Sequence, residues 1–195
     1  MDKIQDLNSF NIQSSAWFAV YTRHRHEKAV AQYISGKGLE VFLPLYRTAH
    51  RWKDRTKDLV LPLFPNYVFV SSCPGLRGYI LSTPGVCDFV RVAGVPAPLR
   101  TEEIDAVRQV VEQGLNAEPH PFLKFGDQVR VRSGPLEGVE GILLRKKNFY
   151  RLVLSVELLV KSISVEVDVA DIERVSHRPS AATTASVAES ACGVH

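Results

Sequence analysis

Cysteine, methionine and tryptophan are scarce in this chain, at three, one and two residues out of 195. Cys73, Cys87 and Cys192 have neither a zinc-ligand spacing nor a disulfide framework, and their odd number suits a reducing compartment, so a cytoplasmic protein is expected. Long apolar runs are missing as well. The longest covers residues 59–70, is interrupted by Pro62 and Pro65, and is too short to span a bilayer. Residues 1–16 lack the apolar core of a signal peptide, so no membrane association is expected. There is no glycine-rich phosphate loop and no Gly-x-Ser-x-Gly elbow. One cluster could hold a metal or serve acid-base chemistry: His24, His26 and His50 with Glu27. No helix-spaced histidine pair, cysteine pair or further carboxylate completes it. The expectation is therefore a binding protein, with no enzyme activity, cofactor, metal or catalytic residue.

What is present is an ordinary globular composition, 45% apolar and 23% charged, with a net charge of +3. Residues 59–70 end in Tyr67-Val-Phe-Val70, strong strand formers that are apolar at successive positions. Such a segment is apolar on both faces and reads as the central strand of a covered sheet, with the two prolines on its approach. Trp17-Phe-Ala-Val-Tyr-Thr22 is a second buried strand. A helix follows, with Ala29, Val30, Tyr33 and Ile34 on one face and Gly36 and Gly38 stopping it. Residues 41–46 are a further strand, giving a βαβ-like opening. Residues 47–58, polar and mostly basic between two apolar stretches, read as a projecting β-hairpin arm. A short helix or turn over residues 80–86 ends at Pro84-Gly85, and residues 88–92 form another strand. Thr101 caps a helix with Glu102 and Glu103 in its first turn and Ile104, Val107, Val110 and Val111 as its buried stripe.

Helices interleaved with strands give an α/β sandwich over residues 16–115. Residues 116–123, with two prolines and no periodicity, read as a linker. From 124 to 175 valines alternate with charged residues between glycine turns, as in a small β-barrel. Residues 1–15 and 176–195 are expected to be a disordered leader and tail.

Charge is unevenly placed. Between Trp17 and Lys57 there are nine Lys/Arg and three acids. Left alone, such a run is a solvated surface. Two features point to nucleic acid instead. Arg23, Arg25 and Lys28 stand at a helix start, where the dipole disfavours cations and attracts phosphate. The arm carries Arg47, Arg51, Lys53, Arg55 and Lys57, with Tyr46 and Trp52 able to stack on bases. The rings of Tyr21, Phe64, Tyr67 and Phe69 fit either a core or an exposed apolar patch for a protein partner.

Several blocks, in this order, resemble the NusG family. They are Trp17-Phe-Ala-Val-Tyr21 and its helix, Leu63-Phe-Pro-Asn-Tyr-Val-Phe-Val70, Pro84-Gly-Val86 with Phe89-Val-Arg91, and Pro96-Ala-Pro-Leu99. Phe125-Gly-Asp-Gln-Val-Arg-Val131, Gly134-Pro-Leu-Glu-Gly138 and Gly141 resemble the family's KOW barrel. The resemblance implies an α/β (α+β) chain: an N-terminal mixed sheet flanked by helices (NGN-like) plus a small SH3-like KOW β-barrel. It also implies a monomeric transcription elongation factor. Asn66, where the housekeeping protein usually has Gly, is similar to RfaH and other specialised antiterminators.

Carried over by position, Tyr21, Phe64, Asn66, Tyr67 and Phe69 would meet the clamp helices of the RNA polymerase β′ subunit. Arg23, His24, Arg25, Arg47, Arg51, Lys53 and Arg55 would meet non-template DNA or nascent RNA. Leu159, Val160 and Lys161 would be the barrel's partner loop. This loop lacks the Phe-Gly-Arg of the housekeeping factor, so antitermination at a subset of operons is expected over Rho stimulation. Arg77-Gly-Tyr-Ile-Leu81 does not reproduce the RfaH segment that touches the β subunit. The competing readings are a general NusG coupling polymerase to Rho or the ribosome, a ribosome-associated KOW protein, and, furthest off, a metal-dependent nuclease.

Overall fold

The computed structural model describes residues 15–51, 56–146 and 149–175. Its first sheet is built from β1 (Ala16–Thr22), β2 (Val41–Phe42), β5 (Tyr67–Ser72) and β6 (Val86–Phe89), in the order β2-β5-β1-β6. The all-apolar runs now have a cause. Side chains alternate across a strand, so Phe18, Val20, Val68 and Val70 face one side, with Val30 and Ile34 of α1 (Glu27–Gly36) and Ile80 of α2 (Arg77–Leu81). Trp17, Ala19 and Phe69 face the other, with Ile104, Val107 and Val110 of α3 (Thr101–Glu112). Both faces are covered, so both must be apolar.

The α+β class is as expected, but the mixed sheet is not. Every pairing in it is antiparallel. The reason is that β5 inserts antiparallel between β1 and β2, which run parallel on either side of it, so the βαβ-like opening is a split βαβ unit. Residues 59–70 are also divided. Their first part belongs to β4 (Thr56–Pro62), which pairs with β3 (Leu45–Arg51) as a separate two-stranded hairpin, the expected arm. A smaller hairpin of β7 (Arg91–Val92) and β8 (Val95–Pro96) turns through Ala93 and Gly94, both at positive φ. Thr101 is not the helix cap: Arg100 holds that position in extended conformation, without a side-chain capping bond.

The C-terminal part is an antiparallel six-stranded sheet of SH3-like type, ordered β14-β10-β11-β12-β13-β9. Its strands are β9 (Ala117–His120), β10 (Asp127–Val131), β11 (Glu140–Lys146), β12 (Phe149–Val156), β13 (Lys161–Val167) and β14 (Ile172–Arg174). At Gly141 a Cβ would lie 2.6 Å from the Val153 carbonyl, so only glycine lets β11 run so close to β12. β9 lies in the segment expected to be a bare linker. It pairs with β13 from Ala117 to His120, and Pro119 is tolerated because β9 is an edge strand. The expected leader and tail lie outside the described residues apart from Ser15. No helix among the described residues is long and apolar enough to cross a membrane.

Candidate partner-binding face and nucleic-acid loop

Three turns meet at one end of the first sheet. The Tyr67 N–H donates to the Phe64 carbonyl at 3.2 Å, His26 N–H to Arg23 at 3.0 Å, and Val86 N–H to Thr83 at 3.1 Å. Each turn holds its third residue at positive φ: Asn66 at 69°, Arg25 at 62° and Gly85 at 91°. Proline precedes that residue in two of them (Pro65 and Pro84), the pairing expected of a type II turn. The turns are then tied to the end of β1. Thr22 N–H donates to the Asn66 carbonyl at 2.8 Å and Arg23 N–H to that of Gly85 at 2.9 Å. A Cβ on Gly85 would come within 3.0 Å of both His26 Nδ1 and Val30, so the third turn sits hard against α1.

Glu27 completes the knot. It is only 5% exposed, and its Oε1 accepts the Asn66 N–H at 2.8 Å. His24 Nδ1 lies 3.3 Å from Asn66 Oδ1. Lys28 Nζ donates to the Val60 carbonyl at 2.7 Å and so fastens α1 to the base of the arm. Arg23, His24, Arg25 and His26 are all exposed. Among the described residues, no three His, Cys, Asp or Glu side chains gather as a metal site would need.

Beside this knot Tyr21 and Tyr67 are direct cross-strand partners, their rings 5.5 Å apart at 61°. Tyr21 is 43% exposed and Tyr67 half-buried. Burial, then the neighbouring Tyr21, raise the Tyr67 phenol above its ordinary pKa. Val60 and Leu61 of the arm are exposed as well.

The other two expected patch residues are core. Phe64 is 1% exposed and Phe69 0%, packed edge-to-face 5.4 Å apart, with Phe42 stacked on Phe69. The four-ring surface is therefore a two-ring surface on a buried aromatic base. The pleat puts Ala19, Tyr21, Tyr67 and Phe69 on one side of the sheet. Phe69 lies within the cluster that includes α3, whereas Tyr67 and its partner Tyr21 stand two residues further along, at the sheet's end.

That same side meets the C-terminal sheet in one continuous buried cluster. Gln109 Nε2 of α3 donates to the Pro135 carbonyl at 3.0 Å, and the Glu157 N–H reaches Glu103 Oε1 at 3.4 Å. Burial, first of all, lifts the Glu103 carboxyl above the usual range, with Glu157 and Glu102 adding to it. The hydrogen bond from Glu157 and the nearby Arg100 pull it the other way. Lys161 Nζ stands 5.9 Å from the centroid of the Tyr67 ring. Of the expected partner loop, Leu159 is buried and Val160 is 63% exposed at a φ of 52°. The loop and the tyrosine face are thus neighbours, which their separation in the sequence gave no means of seeing. Arg47 lies on β3 of the arm, while Lys53, Arg55 and the side chain of Arg51 fall outside the described residues. Sequence reasoning missed the structural part played by Glu27, whose signal is an acid in the first turn of a helix that follows a basic loop.

Residues 15–108 match a family model described as "Transcription termination factor nusG". The Transcription termination/antitermination protein NusG of Borreliella burgdorferi is 25% identical over 188 residues, covering 83% of this chain and all of that protein. Its namesake from Staphylococcus epidermidis is 26% identical over 185 residues, covering 86% and 100%. Among solved structures, one described as "Domain interaction in Thermotoga maritima NusG" superposes with a TM-score of 0.53 at 20% identity, over 85% of this chain and 100% of that one. That likeness shows the fold. Over residues 15–108 this chain is similar to the NusG family model, and over most of its length to proteins named NusG.

Proposed function

We propose that this chain is a transcription elongation factor that binds RNA polymerase through the Tyr21–Tyr67 face and contacts nucleic acid through the adjoining 23–25 loop. The observation that carries this reading is their adjacency. Two tyrosines and three exposed polar or basic residues share the end of β1, locked together by the same turns. An apolar ring pair with hydroxyls suits a protein groove, and a flanking basic loop suits phosphates. The names of the relatives, which pair termination with antitermination, support a role at the transcribing polymerase. The family's clamp-helix contact on the β′ subunit suits the tyrosine face, with Phe64, Asn66 and Phe69 supporting it from beneath. Non-template DNA or nascent RNA suits the loop, extended by Arg47, Arg51, Lys53 and Arg55 of the arm. The factor acts by binding the pause-free state of the polymerase better than the paused one, a population shift that needs no bond-making.

The finer role, antitermination at a subset of operons, rests on Asn66 and on a 159–161 loop without the Phe-Gly pair. A general factor that couples polymerase to Rho or the ribosome through the KOW barrel is the second reading, favoured by the names of the full-length relatives.

The test is binding of the full chain to core polymerase. Tyr21→Ala and Tyr67→Ala should each weaken binding by about tenfold or more, with circular dichroism unchanged for Tyr21→Ala. Native affinity in both variants would remove the tyrosine face from the reading. Occupancy across the genome then separates a specialist on a few long operons from a general factor present on nearly all genes.

A further inference from the structure

The two tyrosines at the end of β1 do not stand alone. Their rings are 5.5 Å apart, Lys161 Nζ lies 5.9 Å from the Tyr67 centroid, and Val160 precedes Lys161 in the chain. Tyr67 and Leu158 pack at the margin of the same buried cluster, which seats the start of β13 beside the first sheet. With the second sheet in place Tyr21 is still 43% exposed and Val160 63%. The 159–161 loop therefore flanks the tyrosines and does not cover them. Val160 has φ 52° and ψ 44°, the left-handed region that β-branched residues rarely enter. Glycine would sit there without strain, and an exposed valine side chain gains little from packing. Such strain fits a side chain held ready for a contact outside the chain. Lys161 forms no ion pair among the described residues.

From this we infer that Val160 and Lys161 belong to the polymerase-docking surface, in one row with Tyr21 and Tyr67 that is drawn from both sheets. The inference rests on the polymerase reading of the tyrosine face. The row continues that face across the seam, apolar at both ends with a cation between. The polymerase element it fits is an apolar ridge carrying a carboxylate opposite Lys161. The rings and the valine supply area that excludes water. Lys161 adds charge selectivity more than bulk affinity. The second sheet thus acts in docking itself, and its place beside the tyrosines is part of the binding surface.

The experiment measures binding of the full chain to core polymerase across a salt series, with a melting temperature for every variant. Val160→Asp keeps a residue that tolerates the left-handed region but puts a carboxylate in the apolar row. It should weaken binding by about tenfold or more. Val160→Gly should melt about 2–4 °C higher as the strain goes, yet bind about three- to tenfold more weakly. A merely structural valine would not lower affinity while raising stability. Lys161→Ala should weaken binding by about two- to fivefold at low salt and hardly at all at high salt. Native affinity in both Val160 variants, with Tyr21→Ala weakened, would overturn the inference and leave the tyrosine reading standing. Tighter binding in the loop variants would overturn it as well, since the loop would then shield the face. Native affinity in Tyr21→Ala and Tyr67→Ala alike removes the reading and the inference together.

Discussion

Arg25 is the odd member of the three turns. Gly85 and Asn66 are residue types that visit positive φ readily, whereas an arginine there costs roughly 1 kcal/mol. Its side chain is exposed, so packing does not repay that cost. Strain of this kind persists where a side chain is wanted for binding. Arg25→Gly should therefore raise stability by about 0.5–1 kcal/mol. Over a salt series the variant's nucleic-acid affinity should fall, and its slope should shrink by about one unit. Urea titration and oligonucleotide binding check the two halves. A variant that gains stability but binds with an unchanged slope would leave Arg25 without a role at the strand.

At the scale of an element, α3 ties the two sheets together and carries a group under tension. Glu103 faces Glu157 across the seam, and burial raises its carboxyl pKa. A raised folded-state value means that the protonated form suits the folded chain. That favourable contribution is complete at pH values below the ordinary carboxylate range and is lost as pH rises through the elevated value. At neutral pH the ionised group is thus a mild liability. Glu103→Gln keeps an acceptor for the Glu157 N–H and removes the charge. It should melt above the native chain at neutral pH and converge with it in acid. Parallel melting curves at every pH would mean that the carboxyl is solvated at the seam.

The sequence made α3 legible by its period and its first-turn acids, and β1 and β5 by runs apolar on both faces. Pro84-Gly85 likewise announces its turn, whereas Pro65-Asn66 falls in a stretch that reads as the approach to a strand. Other features had no local signal. Arg100 caps α3 without a side-chain bond, and nothing about an arginine marks Arg25 for positive φ. Phe64 and Phe69 have the same composition signature as surface rings. Their burial depends on elements distant in the sequence that cover their side of the sheet.

For the whole molecule the decisive segment is 116–123, whose prolines suggest a loose tether. It is stitched down instead. β9 pairs along β13, Leu123 N–H donates to Ser162 Oγ, and the Ser155 hydroxyl donates to the Leu123 carbonyl. Gln113, Gly114 and Leu115 donate their backbone N–H groups to the last carbonyls of α3, so the chain held by neither α3 nor the second sheet is confined to Asn116. The second sheet can move only a short way from the tyrosine face unless β9 is released. Ala117, buried at 3% on β9, is the place to release it. Ala117→Asp puts an unpaired carboxylate there, while the pairings among β10 to β13 need nothing from it. Limited proteolysis of the native chain should spare 117–123, whereas the variant should be cut there and leave an intact C-terminal fragment. Small-angle scattering should show the variant with a larger maximum dimension, since its tether is now residues 116–123. Equal rates of cutting in the two proteins would show that β9 does not persist in solution, and the short tether would go with it.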